Sequence, residues 1–391
     1  MYLNRPGVRE VIHVARHHLS GRRVSVWLAY AAGFFTVRGV LRIARWIDDR
    51  LWPEIVEQRI ERPVFIFGNA RSGTTLLHRL MSLDEEHFAS MKLYQSIFCR
   101  VIIYRGIAAL DRFDRRVPGR PLRRLVDLIN REVFSSWKGI HEMGLDEPEE
   151  DEAIFALSLI TPAVSLLFPY IDELPGLTAF DSLPIEERRG FMDLYEDALR
   201  RHLFASGGQR TFLTKNALFA PRVQSMFERF PDARFVYLVR HPFQAIPSFL
   251  DMFHTKWITH SPGINPDSPE AHALSRLAIA YYRYALDCRK VILPARFITI
   301  RYDDLVADPK QTIEILYESL GVDMSPSFAA DLDRSLQSQL SFTSRNSYSM
   351  KRFGLCEKTV YDELRDIFEE FDFEPPSELP VDTDPSPLPH G

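Results

Sequence analysis

Residues 65–75 read Phe-Ile-Phe-Gly-Asn-Ala-Arg-Ser-Gly-Thr-Thr, an apolar strand pattern that runs into a loop of small residues and then into a helix start. In such a unit, backbone N–H groups and the positive end of the helix dipole point at one spot, which suits a phosphate. Gly68 and Gly73 are five residues apart, as in the nucleotide loop GxxxxGK[ST]. The stretch therefore predicts a phosphate-binding loop.

The lysine of that nucleotide loop is missing here. Thr74 stands where a triphosphate enzyme needs Lys to reach the β and γ phosphates, and the basic residue of the loop, Arg71, comes earlier. This arrangement argues against a nucleoside triphosphatase.

A second anion-binding element is predicted at residues 235–242, where an apolar strand pattern ends in Arg240, His241 and Pro242. Nucleotide-binding proteins commonly end such a strand in Asp to hold magnesium, whereas Arg attracts an anion. Ser248 falls about one turn into the next helix, near enough to share a phosphate with Arg240. Parallel sheets bind ligands at the carboxyl ends of their strands, so we expect both elements at one edge.

The order of the predicted elements indicates an α/β fold, a P-loop-like three-layer architecture with a central parallel sheet. We predict strands at 63–67, 211–214, 234–239 and 297–302, followed by helices near 74–83, 221–230, 243–253 and 309–320. A large helical insertion spans about 84–205 and includes helices at 121–133 and 186–203. We divide the chain into a helical N-terminal arm at 1–60, a body at 61–373 and a Pro-rich, disordered tail at 374–391.

Composition limits the partners and the compartment. The 391 residues carry a net charge of −5, which offers no general attraction to nucleic acid. Cys99, Cys288 and Cys356 form no short-spaced pair, which indicates buried thiols in a reducing, cytoplasmic setting and no zinc cluster.

The N-terminal arm leaves two alternatives open. Residues 24–37 are an apolar run of 14 residues, short of the roughly 20 that cross a bilayer, and arginines lie on both sides of the run. The arm is either an interfacial helix on an anionic membrane or an amphipathic helix packed on the body or in a homodimer interface. A membrane-bound arm would favour a lipid or other apolar alcohol as substrate.

The two anion-binding elements resemble the sulfotransferase family that uses 3′-phosphoadenosine-5′-phosphosulfate (PAPS). Residues 71–75, Arg-Ser-Gly-Thr-Thr, match its [RK]SGTT loop, and Arg240, Pro242 and Ser248 match its RxPxxxxxS segment. Residues 301–305, with the later Asp-Pro pair at 308–309, look like the family's YEDL…DP segment. The match covers about residues 61–356 and is nearest to a bacterial-type branch.

The resemblance implies a role for each matched residue. The loop at 71–75 would bind the 5′-phosphosulfate, Arg240 and Ser248 the 3′-phosphate, and Tyr302 would lie near the adenine. Lys351 and Arg352 loosely match a C-terminal basic segment that closes on the 3′-phosphate, with a solvated surface as the alternative. The expected cofactor-binding residues are therefore Arg71, Ser72, Gly73, Thr74, Thr75, Arg240, Ser248, Tyr302, Lys351 and Arg352.

The chain also departs from the family's cytosolic members. Leu76 stands where they carry a Trp that stacks on adenine, so another stacking partner is needed. In Lys215-Asn216-Ala217 the Lys of the KxH motif is kept, but Ala217 replaces the catalytic His. The usual base is absent.

Sulfonyl transfer needs cations for the developing negative charge and a base for the acceptor proton. Arg71 and Lys215 are the predicted cations. The acidic run at 142–152 offers Glu149 as the first candidate base, and His141 is its main rival. The alternative for this run is an exposed helix start. His78 is more consistent with packing.

Three functions are weighed. The first is transfer of a sulfonate group from PAPS, without metal, to a hydroxyl or amine of a small-molecule or lipid-like acceptor, with adenosine 3′,5′-bisphosphate (PAP) as product. The second is a nucleotide or small-molecule kinase with a degenerate loop, in which Asp303 or Asp304 holds magnesium. The third is a catalytically silent binding protein.

Overall fold

The computed structural model of the protein describes residues 2–69, 71–133, 144–339 and 349–376. At its centre lies a five-stranded sheet in the order β2-β3-β1-β4-β5, and every neighbouring pair is parallel. The strands are β1 (Val64–Gly68), β2 (Phe88–Ser90), β3 (Thr211–Asn216), β4 (Arg234–Val239) and β5 (Phe297–Arg301). Because β1 pairs with both β3 and β4, the loops that follow these three strands emerge side by side.

Helices cover both faces of the sheet, which makes the three-layer α/β architecture predicted from the sequence. The helices are α1 (Arg5–His17), α2 (Gly21–Leu51), α3 (Thr74–Met81), α4 (Leu93–Ile97), α5 (Val101–Asp114), α6 (Pro121–Val133), α7 (Glu152–Ala156), α8 (Pro175–Thr178), α9 (Ile185–Ala205), α10 (Val223–Arg229), α11 (Pro242–His260), α12 (Pro269–Val291), α13 (Tyr302–Ala307), α14 (Pro309–Leu320), α15 (Pro326–Gln339), α16 (Glu357–Glu363) and α17 (Arg365–Glu370).

The central strand shows why the sheet needs both layers. Phe65 and Phe67 are buried against the core formed with α9 to α12, while Val64 and Ile66 are buried against the core formed with α3, α14 and α15. Successive side chains of a strand point to opposite faces, so an all-apolar strand must be covered on both sides. Because both faces are covered, a site is expected at the carboxyl ends of the strands.

The main difference from the predicted elements is strand β2, which lies inside the segment predicted to be helical. It has only three residues and pairs with β3 through Phe88 and Thr211. So short an edge strand carries too little period-two pattern to be recognised from sequence. The other four strands and the helix at 121–133 lie where the sequence predicts them.

The C-terminal end of the body is packed, since Phe371 and Phe373 are buried. The predicted tail at 374–391 lies mostly outside the described residues. Its disorder therefore stays a prediction.

The N-terminal arm consists of α1 and the 31-residue helix α2. Trp27 and Phe34 of α2 pack against the insertion, where the Trp27 ring stacks on Phe168 at 4.8 Å between centroids. The inner face of the arm is thus packed on the body, as in the alternative of an amphipathic helix. By length and hydropathy α2 could also cross a membrane, and its outward residues include Phe35 and Trp46, both more than half exposed.

Candidate active site

The loop after β1 has the geometry of an anion cradle. The φ of Gly73 is 87°, and a Cβ there would lie 2.8 Å from the Tyr302 ring. A Cβ on Gly68 would lie 2.3 Å from the Leu238 carbonyl oxygen. Both positions therefore require glycine. Helix α3 begins directly after the loop at Thr74, so its N-terminus points at the loop.

Two further features of the loop point to a ligand. Ser72 is fully buried, yet its hydroxyl has no hydrogen-bond partner among the described residues. Arg71 has a φ of 71°, a left-handed conformation that costs a non-glycine residue about 1–2 kcal/mol. A buried unsatisfied hydroxyl and local strain are both typical of a binding loop. Ala70 lies outside the described residues.

Arg240 joins the second predicted anion element to this loop. Its Nη1 donates a hydrogen bond to the Arg71 carbonyl oxygen at 2.7 Å, and its guanidinium carbon lies 4.2 Å from the centre of the Tyr302 ring. The Arg71 Nε donates to the Ser248 hydroxyl at 3.3 Å. The two elements, predicted separately, therefore form one cationic cluster at the sheet edge. Tyr302 stacks on an arginine inside it and is the first residue of α13.

Arg240 forms no ion pair with an Asp or Glu of the described residues. Its Nε donates to the neutral Gln244 amide oxygen at 3.2 Å. A guanidinium held by neutral groups keeps its charge available for an anion. This is what a 3′-phosphate site requires.

Lys215 lies on the other side of β1, at the end of β3, beside Ile66 in the register. Its side chain is 1% exposed, and its Nζ lies 3.1 Å from the Thr75 hydroxyl and 2.6 Å from Glu150 Oε1. The predicted cation is thus next to the second threonine of the loop. The side chain of Arg71, the other predicted cation, is directed to Ser248 instead, so the two cations contact different residues.

The acidic run is not an exposed helix start at residues 149–152, so that alternative is wrong there. Glu149 and Asp151 are buried, while Glu150 and Glu152 are 22% and 14% exposed and paired with Lys215 and Arg222. The two partly exposed carboxylates are therefore paired with cations inside the site rather than solvated.

Glu149, the first predicted base, is 3% exposed. Its backbone N–H donates to the Met91 carbonyl at 2.9 Å, and its carboxylate accepts from the Glu150 N–H at 3.2 Å. The direct contact with Lys215 Nζ is made by the next residue, Glu150. His141 lies outside the described residues, so its role stays a prediction.

Asp151 and Glu152 continue the network below the site. Asp151 accepts from the Tyr195 hydroxyl at 2.5 Å and from the Asn216 amide at 2.9 Å, and the same amide donates to Glu152 at 2.6 Å. Burial raises the pKa of Asp151 to about 6, against the hydrogen bonds that lower it. Asn216 directly follows Lys215, so this network positions the carboxyl end of β3, which carries the lysine.

His78 is fully buried on α3, close enough to Lys215 and Glu149 for their charges to act on it. Burial first, and then the Lys215 charge, lower the pKa of His78 to about 3. The imidazole is therefore neutral at physiological pH and far too acidic in its protonated form to collect a proton there. The expectation that His78 packs rather than reacts agrees with this environment.

The C-terminal basic pair lies beside the helix that carries Ser248. Arg352 forms an ion pair with Asp251, three residues after Ser248 on α11, and its guanidinium lies over the Phe353 ring. Lys351 is exposed. The segment is thus on the predicted 3′-phosphate side, with Arg352 already neutralised by a carboxylate.

The sequence reasoning missed Glu150, Asn216 and Arg222 as members of the site. Asp303 and Asp304, proposed as magnesium ligands in the kinase alternative, are exposed on α13. Within the described ranges, no cluster of three or more His, Cys, Asp or Glu side chains could hold a metal ion. The one available signal for Glu150 was the density of acidic residues at 142–152.

Comparison with known proteins identifies the class. The sulfotransferase family profile matches residues 63–326, more than half of the chain, so the protein belongs to the sulfotransferase family. It is a sulfotransferase enzyme of the bacterial type.

A curated relative is the omega-hydroxy-beta-dihydromenaquinone-9 sulfotransferase Stf3 of Mycobacterium bovis and Mycobacterium tuberculosis. It is 26% identical over 294 residues, which cover 70% of this chain and 68% of the relative. Two solved structures share the fold. Sulfotransferase STF9 from Mycobacterium avium has a TM-score of 0.65 at 19% identity and covers 83% of this chain and 81% of its own. Sulfotransferase STF1 from Mycobacterium tuberculosis has a TM-score of 0.61 at 21% identity, with 85% and 84% covered.

Proposed function

We propose that the enzyme transfers the sulfonate group of PAPS to a hydroxyl of a lipid-like acceptor, and that PAP is released. The observation that carries the proposal is the contact between the two anion elements, in which Arg240 donates to the Arg71 carbonyl and Arg71 donates to Ser248. One nucleotide phosphorylated at both its 3′ and 5′ positions fits such a joined cluster. The curated relative's acceptor, a menaquinone derivative, supports a lipid-like acceptor.

The residues present fit the nucleotide. The unsatisfied Ser72 hydroxyl and the N-terminus of α3 would hold the 5′-phosphate, together with Thr74 and Thr75. Arg240, Ser248 and Arg71 would hold the 3′-phosphate. Tyr302, which already stacks on Arg240, would lie beside the base, and Lys351 and Arg352 would close over the 3′ side.

In the reaction, a bond forms between the acceptor oxygen and sulfur while the bond between sulfur and the 5′-phosphate oxygen breaks. The departing phosphate oxygen gains negative charge, which the Lys215 ammonium stabilises from its place beside Thr75. The acceptor proton goes to a carboxylate of the acidic run. Glu149 is the base proposed from the sequence, and Glu150 is a second candidate because it contacts Lys215 directly and is more exposed.

The outward face of α2 supports a peripheral membrane contact through the N-terminal arm. Leu28, Phe35 and Ile43 are each about two-thirds exposed. An interfacial helix of this kind would bring the enzyme to a lipid acceptor in the membrane. A homodimer through the same face and a cytoplasmic location are further proposals that rest on the sequence.

Calorimetry tests the nucleotide proposal. We expect PAP to bind without magnesium and to bind far more tightly than ATP does with magnesium. Magnesium-dependent ATP binding without preference for a 3′-phosphate would support the kinase instead. An untargeted search for sulfated products, in cells that express the wild type or Arg71→Ala, then identifies the acceptor. Products that appear equally with both would contradict the proposal.

A further inference from the structure

Helices α5 and α6 form a hairpin, residues 101–133, whose exposed part begins after Tyr104. In α6 no described side chain is buried, although nearly half of its residues are apolar. Leu122 and Leu125 are 39% and 51% exposed, and Leu128 is 46% exposed. A helix with a strongly apolar side that no described residue covers is either an interfacial helix or an interaction surface.

The end of α5 continues this apolar surface. Leu110 and Phe113 are 56% and 64% exposed, and after Tyr104 the only buried residue of α5 is Asp114. The Asp114 carboxylate accepts from the backbone N–H of Leu122 at 2.9 Å and so caps α6. The hairpin is therefore a defined structure, held at its turn by a buried cap, and it presents large apolar side chains outward.

Arginine is concentrated at the same place. Residues 111–124 contain six arginines and two aspartates, whereas the whole chain has a net charge of −5. Asp114 is used as the buried cap, and Asp111 pairs with Arg115. Arg112, Arg116 and Arg124 have no ion-pair partner in the described part of the chain. The tip of the hairpin is thus locally cationic as well as apolar.

We propose that the α5–α6 hairpin docks on the surface of an anionic lipid bilayer. Leu110, Phe113 and the leucines of α6 enter the interfacial region, and the unpaired arginines contact lipid phosphates. Charge favours this occupant over a second copy of the chain, since a self-complementary contact would bring two cationic tips together. The hairpin is a different element from the α2 face considered above.

Docking at this hairpin bears directly on the site, and in this respect it rests on the proposed function. Arg123 Nη1 lies 2.5 Å from Asp146 Oδ2, and Asn130 accepts from the Leu145 N–H at 3.1 Å. The segment bonded to α6 leads within a few residues to Glu149 and Glu150. A membrane surface under α6 would therefore lie next to these two carboxylates of the site, where the hydroxyl of a lipid would enter.

The test is sedimentation of the full-length protein with phosphatidylcholine vesicles, with and without phosphatidylglycerol, at low and high salt. We expect binding to the anionic vesicles that falls with salt. Arg112→Gln/Arg116→Gln/Arg124→Gln should weaken partitioning roughly 100-fold, and Phe113→Asp/Leu125→Asp should abolish it. Ile315→Asp, at a 56% exposed position of α14, is the matched control and should bind as the wild type does.

PAP binding, measured on the same samples, checks that each variant is folded and separates the two proposals. Vesicle binding without PAP binding would leave the docking intact and remove the proposed nucleotide site. PAP binding without vesicle binding would overturn the docking. Loss of vesicle binding in Phe35→Asp of α2, with none in the hairpin variants, would assign docking to the arm alone and also overturn it. A lipid-free dimer that only the hairpin variants dissociate would replace the bilayer by a second copy.

Discussion

Lys215 Nζ lies 2.6 Å from Glu150 Oε1, and the lysine side chain is almost completely buried. A buried ammonium needs a partner, because leaving it uncompensated costs several kcal/mol. In the proposed function, a sulfonate donor bound beside Thr75 would supply negative charge to the same ammonium and compete with the Glu150 carboxylate for it.

Replacing Lys215 by Met should slow the reaction without removing nucleotide binding. The lysine acts on charge that develops on the 5′-phosphate oxygen as the sulfur–oxygen bond breaks, and PAP keeps that oxygen but is also held by its 3′-phosphate. We expect kcat to fall roughly 10²–10³-fold while the PAP Kd rises by a smaller factor. Steady-state kinetics and calorimetry on the same preparation check this. Equal losses in PAP affinity and kcat would assign Lys215 to nucleotide binding instead.

Glu149→Gln and Glu150→Gln distinguish the two candidate bases. Glutamine keeps the size and a hydrogen-bond acceptor, but it cannot take the proton. The variant that removes the base should lose about 10²–10⁴-fold in kcat and retain its PAP affinity. Glu147→Gln, an exposed position of the same run, is the control. Normal turnover in both variants would direct attention to His141.

Arg240→Ala should weaken PAP binding and leave adenosine 5′-phosphate binding unchanged. The lost contact is a charge-assisted hydrogen bond to the 3′-phosphate, which only PAP carries. We expect a 10–100-fold increase in the PAP Kd, equivalent to about 1.5–3 kcal/mol. Arg71→Ala should also weaken PAP binding. Arg276→Ala, a remote exposed arginine paired with Asp172, serves as the control. Equal weakening for both nucleotides would place Arg240 elsewhere.

Gly73→Ala should damage the phosphate loop. The φ of 87° disfavours a side chain by about 1–2 kcal/mol, and the new methyl would meet the Tyr302 ring at 2.8 Å. PAP affinity is expected to fall at least tenfold, as measured by calorimetry. Gly106→Ala has open space around it within helix α5 and should instead stabilise the protein. Unchanged PAP affinity in Gly73→Ala would remove this loop from the nucleotide site.

The Asp151 carboxyl should make stability depend on pH. Burial raises its pKa from 3.8 to about 6, so its protonated form is favoured in the folded state. Its contribution is complete below about pH 4, declines as pH rises toward 6, and is lost above that. The unfolding free energy of wild type, relative to Asp151→Asn, should therefore fall by about 3 kcal/mol between about pH 4 and pH 7.

Urea unfolding of both proteins across this pH range measures the difference. Asp323→Asn, at an exposed position, is the control for general charge effects. A difference between wild type and Asp151→Asn that does not change with pH would show that the carboxyl ionises normally.

Much of the site could be predicted because the relevant signals are local. The anion loop, Arg240 and Ser248 each lie within a few residues of a strand end, and the parallel order of the strands puts those ends together. Tyr302 and Lys215 were reached by resemblance. Strand β2 was missed because three residues carry no recognisable period.

The partners of the acids could not be predicted, because they are distant in sequence. Glu150 and Lys215 are 65 residues apart, and Glu152 and Arg222 are 70 apart. When the neighbours of an acidic run are unknown, the run is as consistent with a solvated helix start as with buried, ion-paired carboxylates. Only the packing of the insertion against β3 pairs these charges.

From its sequence alone, the chain is committed to a parallel α/β sheet with two anion-binding strand ends, since both follow from short-range pattern and backbone chemistry. Tertiary structure alone settles which carboxylate meets Lys215, where the Arg71 side chain is directed, and that no described segment buries the apolar side of α6. Each of these depends on which segments far apart along the chain are brought into contact, and the energies of burial and charge pairing act only after that contact is made.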